Sequence, residues 1–216
     1  MARKIQSRNV GLVELHKEFG LQLVENPDFF PEWHIDLPGI TDEDRRTMDK
    51  IRAGYLNLVE NPPIIEDTIK LAVLSPLLFA ANYFLKPLII KTEIPITLSS
   101  EDDEVTIEGK IDVLVLTGNF WLMVIESKRP SYSLEAGLAQ MLTYMLTSPN
   151  LKDGQPSYGM ITNGGDFIFI KVSQDAEGLR YSTSRSFVLR NPGNDLYSVL
   201  QILNRLRSLL LKDEDG

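Results

Sequence analysis

GKIDVLVLTGNFWLMVIESKRP, residues 109–130, decides how the rest of the chain is read. Its two arms, IDVLVL and FWLMVIES, are near-continuous apolar runs on either side of Gly118-Asn119. That is the pattern of a hairpin whose strands are covered on both faces rather than of a half-exposed sheet. Asp112, Glu126 and Lys128 are set into these runs. A charge buried without a partner is costly, so an ion pair or a metal ion has to compensate them. Alternation along a strand puts Glu126 and Lys128 on one face and Ser127 on the other. The turn decides where Asp112 goes. A loop of Gly118-Asn119 alone sets it opposite Ile125, on the wrong face. A loop that also takes in Phe120, or a bulge with the same effect, sets it opposite Glu126. We expect the second arrangement, with a divalent cation between two carboxylates that otherwise repel each other.

Composition narrows the setting. With 216 residues, 43% hydrophobic and 24% charged, the chain suits one well-cored domain and is short for two. It contains no cysteine, which excludes disulfides and thiolate chemistry, and its two histidines, His16 and His34, have no second ligand at zinc spacing. Residues 1–10 lead into no signal-peptide core, and the strongest apolar run, 69–85, is interrupted by Ser75, Pro76 and Asn82. We therefore expect a cytoplasmic protein with no membrane partner. A net charge of −8 argues against a protein that coats nucleic acid non-specifically. Any DNA affinity is expected to be weak, with the grip supplied by a homodimer or by a protein partner.

Along the chain, residues 10–25 have helical spacing and stop at Asn26-Pro27. Phe29, Phe30 and Trp33 form an aromatic loop. Thr41 with Asp44 opens a second helix, to about Val59, through a capping box; its Arg45, Arg46, Lys50 and Arg52 read as a solvated face or, failing that, as a DNA-contacting stripe. A third helix follows Asn61-Pro62-Pro63 and spans 64–85, with Glu66 and Asp67 in a first turn where the dipole favours acids. Leu88 to Leu98 is a strand that Pro95 marks as an edge or a bulge. After the hairpin, 131–146 is a helix with Ser133 as cap and a buried stripe of Leu134, Leu138, Met141 and Met145. Gln140 and Tyr144 share another face and, taken alone, read as rim residues. A second hairpin, 158–172, turns at Asn163-Gly164-Gly165, which is not a phosphate loop because no Lys-Ser/Thr follows. A looser stretch with Arg180, Arg185 and Arg190 leads to a last helix, capped by Asn194 or Asp195, with a leucine-rich stripe from Leu196 to Leu210.

Two acids, with a lysine two residues past the second, suit phosphodiester hydrolysis with Mg²⁺, or Mn²⁺ as its substitute. In arrangement, Asp112 followed by Glu126-Ser127-Lys128 at the end of the next strand resembles the motif of the PD-(D/E)XK nuclease superfamily, with Ile111 where the motif has proline. Glu66, with Pro76 in the run LSPLLFAANYF, is similar to the opening helix of the N-terminal nuclease domain of type I restriction enzyme R subunits and related restriction endonuclease-like proteins. Ile161-Thr162-Asn163-Gly164, with Phe167 beyond, resembles a matching segment of that family. Gln140-x-x-x-Tyr144 resembles the extra motif of the RecB-like branch.

The resemblance covers roughly Glu66 to Val172. It implies an α/β (α+β) fold with a restriction endonuclease-like αβββαβ core: a mixed central sheet flanked by helices. Residues 61–216 are then the nuclease domain and 1–60 an N-terminal helical extension, the whole forming one compact domain. It implies a metal-dependent endodeoxyribonuclease in which Asp112 and Glu126 hold Mg²⁺, Glu66 assists, Lys128 handles the nucleophile, and Gln140 and Tyr144 line the substrate side. RNA as substrate is not separated from DNA. For Glu66 the helix-dipole reading stands level with the metal one. The alternative for the whole is a catalytically silent module of the same fold that binds a partner or nucleic acid; against it, Asp, Glu and Lys are all present.

Overall fold

The computed structural model describes residues 3–62, 64–100, 104–128 and 133–211. A short strand, β1 (Arg3–Gln6), passes through a 3-10 turn into α1 (Leu12–Phe19). Gly20, at φ 67°, closes that helix, so the helix expected over 10–25 ends early and the chain enters β2 (Gln22–Leu23). In α2 (Asp42–Glu60) the Thr41–Asp44 capping box is formed, with the Asp44 N–H on Thr41 Oγ1 at 3.1 Å and the Thr41 N–H on Asp44 Oδ2 at 2.8 Å. The helix expected over 64–85 is shorter and has a fault in it: α3 (Glu66–Ile69) and α4 (Ser75–Ala80) are joined by a π-helical stretch, Lys70–Leu74. There follow β3 (Ile89–Ser99), β4 (Val105–Thr117), β5 (Phe120–Ser127), α5 (Leu134–Leu146), α6 (Pro149–Lys152), β6 (Ser157–Thr162), β7 (Asp166–Asp175), β8 (Gly178–Thr183), β9 (Phe187–Val188) and α7 (Leu196–Leu211).

The strands form one mixed sheet in the order β1-β4-β5-β6-β7-β8-β2, with β3 beside β4 and β9 beside β7. β3, β4 and β5 are antiparallel, α5 crosses over, β6 returns parallel to β5, and β7 turns back antiparallel. The class is mixed α/β. The first 60 residues are not a purely helical extension, since β1 pairs with β4 and β2 with β8. The stretch carrying Arg180 is likewise a strand, β8, and Ser133 sits at the N-cap of α5 without a side-chain hydrogen bond. The acidic residues 101–103, Pro63, 129–132 and 212–216 lie outside the described residues. No described helix is long and apolar enough to cross a membrane.

The sheet is covered on both faces. Helices α2, α3, α4 and α7 close one core with Val113, Val115, Met123 and Ile125, and α1 and α5 close the other with Leu114, Leu116 and Val124. Each fully buried Leu, Val or Met in them contributes about 1.5–3 kcal/mol. In β4, Val105, Ile107 and Ile111 belong to the α5-side core whereas Val113 and Val115 belong to the opposite one. The exchange of faces falls at Asp112, opposite the place where Glu93 of β3 takes a left-handed φ of 58°.

The hairpin solves the register problem with a bulge. Its loop is the two-residue one, with Thr117 paired to Phe120 and Leu116 to Trp121, but Val115 pairs with Met123, so Leu122 is extra. Val113 then faces Ile125, and one more step in the same register sets Asp112 against Glu126. Asn150, 1% exposed, stabilises the bulged strand by imitating a neighbouring strand. Its Oδ1 accepts the Trp121 N–H at 2.9 Å, and its Nδ2 donates to Trp121 O at 2.7 Å and Pro156 O at 3.2 Å. Asn150→Ala leaves these groups buried without partners and is expected to cost about 2–4 kcal/mol in urea unfolding; a loss below half of the lower figure means that the bulge holds itself.

Candidate active site

The opening arises from how β4 is paired. β3 runs along one edge of it from Ser99 opposite Thr106 to Ile89 opposite Leu116. On the other edge, β1 pairs only as far as Glu108 and β5 starts at Val113. Among the described residues no strand pairs with that edge over 109–112. β1 runs parallel and β5 antiparallel to β4, so both strands end at this gap. Carboxyl ends of strands meeting at a break in the sheet make a crevice, the usual seat of a binding site in α/β proteins. The crevice is about 470 Å³, and Gly109, Asp112, Glu126, Gln140 and Tyr144 are among its walls.

Helix α5 furnishes the floor. The Tyr144 hydroxyl lies near the Lys110 backbone N–H, on the edge of β4 that no described strand pairs. From this hydroxyl a line of side chains runs to the acid at the end of β5. Ser7 Oγ lies 3.0 Å from Tyr144 OH, Gln140 Nε2 donates to Tyr144 OH at 2.5 Å, and Lys128 Nζ donates to Gln140 Oε1 at 2.8 Å and to Glu126 Oε1 at 2.5 Å. Gln140 and Tyr144 are therefore buried members of a polar network and not rim residues.

On the far side of Asp112 stands Lys70, the first residue of the π-helical stretch, a local fault often found at functional sites. Its ammonium is 3.3 Å from Asp112 Oδ1 and 3.0 Å from Glu66 Oε1. Glu66 thus reaches the cluster through Lys70 and not directly. Among the described residues no three acidic or histidine side chains are gathered in one cation-sized group. Lys70 escaped the sequence reading. Its signal was the spacing of four residues from Glu66, which puts the two side chains on one helix face. Ser7 left no signal, because its role depends on the pairing of a four-residue strand.

Electrostatics single out Glu126. Its side chain is 3% exposed, and Oε2 is buried with no hydrogen-bond partner. Burial, and then the negative charge of Asp112, push its carboxyl up to about 7 against the opposing pull of Lys128. Burial draws the Lys70 ammonium down, but its contacts with Glu66 and Asp112 outweigh this and hold it above its ordinary value. The Tyr144 hydroxyl is raised, by burial first and by Glu126 second. Two members of the basic stripe of α2 are engaged elsewhere: Arg52 Nε donates to Leu189 O at 2.7 Å and Arg45 lies 4.9 Å over the Tyr197 ring.

No protein-family model matches this chain, and no curated protein does. The chemistry is therefore argued from the cleft itself. In a crevice lined by Glu108, Asp112 and Glu126, with one Glu126 oxygen buried without a donor, carboxylate oxygens are the groups available to a cation.

Proposed function

We propose that the protein is a metal-dependent nuclease, an endodeoxyribonuclease of restriction-endonuclease type acting on phosphodiester bonds. One observation carries the reading: Glu126, one of whose oxygens is buried without a hydrogen-bond partner, lines a cleft together with Asp112. An oxygen of that kind is a cost to the fold unless something arrives to meet it. The order of one helix, three antiparallel strands, a crossover helix and a parallel strand, with Asp112 within the second strand and Glu126 at the third strand's end, supports the restriction endonuclease-like core that the sequence motifs imply.

Asp112 and Glu126 would hold Mg²⁺, with Glu66 assisting from the helix side. When bound, such an ion supplies neutralisation of charge on the phosphate and a lower pKa for water. The chain's own part is positioning. Lys128, 14% exposed, has its ammonium tied to both Glu126 and Gln140, where it would orient the attacking water or offset charge growing on the phosphate oxygens. Gln140 and Tyr144 fix that ammonium from behind. DNA is the substrate we favour, and RNA presents the same ester.

A second reading has its own support. Lys70 and Lys128 already pair with Asp112 and with one oxygen of Glu126, as they would in a catalytically silent module that keeps the fold to bind a partner or nucleic acid. Calorimetric titration with Mn²⁺, followed by plasmid cleavage, separates the two. Wild type is expected to bind and cut; Asp112→Asn is expected to lose binding; Lys128→Ala is expected to bind but to cut at least about a hundredfold more slowly. A wild type that takes up no Mn²⁺ even with DNA present rules the nuclease out.

A further inference from the structure

The N-terminal strand lies outside the stretch that resembles a nuclease, yet it supplies one wall of the cleft. The pairing of Gln6 with Glu108 ends β1 beside the gap in β4, and the next residues, Ser7 and Arg8, line the opening. Ser7 is buried and held by its contact with Tyr144, so the turn that carries Arg8 is tied to the same hydrogen-bonded line that ends at Glu126. Arg8 itself is exposed. The other cations near this wall are already neutralised, Lys4 by Glu108 at 2.9 Å and Lys110 by Glu93. Among the described residues, Arg8 makes no ion pair.

A guanidinium offers a planar fork of donors that matches phosphate oxygens. The need for one here is large, because the chain carries a net charge of −8 and the cleft is lined by Glu108, Asp112 and Glu126. A polyanion approaching such a surface requires a local cation. We propose that Arg8 is a substrate-binding residue that grips a backbone phosphate of a nucleic-acid strand lying in the cleft. This rests on the nuclease reading for the identity of the ligand. It gives the N-terminal segment a role in the site: β1 walls the cleft, the turn after it presents Arg8, and neither takes part in bond breaking.

The test uses fluorescence anisotropy of a labelled DNA duplex, over a salt series, with the full chain carrying Asp112→Asn so that nothing is cut. Adding Arg8→Ala is expected to weaken binding about tenfold and to lower the slope of log Kd against log salt by about one. Arg8→Lys should keep the slope. Lys50→Ala, the same change of charge on α2, should alter neither quantity. The proposal is overturned if Arg8→Ala and Lys50→Ala behave alike, or if the parent binds no duplex. Cleavage by the chain with Asp112 intact separates this from the nuclease reading. Cutting with KM unmoved by Arg8→Ala keeps the nuclease and removes Arg8 from it. Duplex binding that depends on Arg8, with no cutting, keeps Arg8 and removes the nuclease.

Discussion

Glu126→Gln is expected to make the metal-free protein more stable at neutral pH while abolishing its activity. The carboxyl ordinarily loses its proton near 4.5 and in the fold holds it to about 7. Below about 4.5 the group is neutral in both folded and unfolded chains and its burial is cheap. Between those values the unfolded chain ionises first, so folding is progressively penalised as pH rises. Above 7 the full penalty applies, about 3 kcal/mol for a displacement of this size. Glutamine carries no charge and keeps an oxygen for the Lys128 ammonium, so the variant should escape the penalty. Thermal unfolding in EDTA should place its midpoint roughly 5–10 °C above wild type at pH 8, with the gap closing towards pH 4.5. A wild-type midpoint that stays level through this window means that Glu126 is solvated and that the cleft is not the dry site described above. Since the same substitution removes a proposed metal ligand, stability and the proposed activity should move in opposite directions, a common signature of residues kept for function at a cost to the fold.

Gly109→Ala is expected to do damage out of proportion to one methyl group. A Cβ at this position meets Tyr144 Cε1 at 2.7 Å and Ser7 Cβ at 2.8 Å, closer than atoms in folded proteins approach. Neither neighbour can move freely: Ser7 is buried against Tyr144, and Tyr144 is held in turn by Gln140. The cost should be about 2–4 kcal/mol in urea unfolding. Because Tyr144 holds Gln140, and Gln140 holds Lys128, cleavage should fall with it. Combining Gly109→Ala with Ser7→Gly removes one of the two clashes and should recover part of the stability. A double variant no better than the sum of the single changes shows that the strain lies elsewhere.

These effects track what was legible in the sequence. The apolar arms of 109–130, the capping box at Thr41 and the Asn163-Gly164-Gly165 turn are short-range patterns, and each appears where the local chemistry places it. The charged trio in the hairpin was visible because charges in apolar runs demand compensation, and the structure brings Asp112 and Glu126 to one cleft with Gln140 and Tyr144, Lys128 being hydrogen-bonded to Glu126 and Gln140. What did not show was long-range. β1 is four residues of no marked alternation, and only its pairing with β4, about a hundred positions away, makes Ser7 and Arg8 part of the site. The bulge at Leu122 was admitted as one of two devices and could not be told from a longer loop, because the choice depends on Asn150 reaching across to Trp121. Lys70 lay hidden for a related reason: helical spacing pairs it with Glu66, but nothing local foretells Asp112.

The strand that walls the cleft is also a short edge of the sheet. β1 has four residues, none of them buried, and a partner on one side only, whereas β6 is buried along its whole length. Hydrogen exchange should therefore find the amides of β1 opening far more readily than those of β6, at a free energy well below that of global unfolding. For the nucleic-acid strand proposed to lie in the cleft, a wall of this kind would allow entry from the side, without a free end to thread.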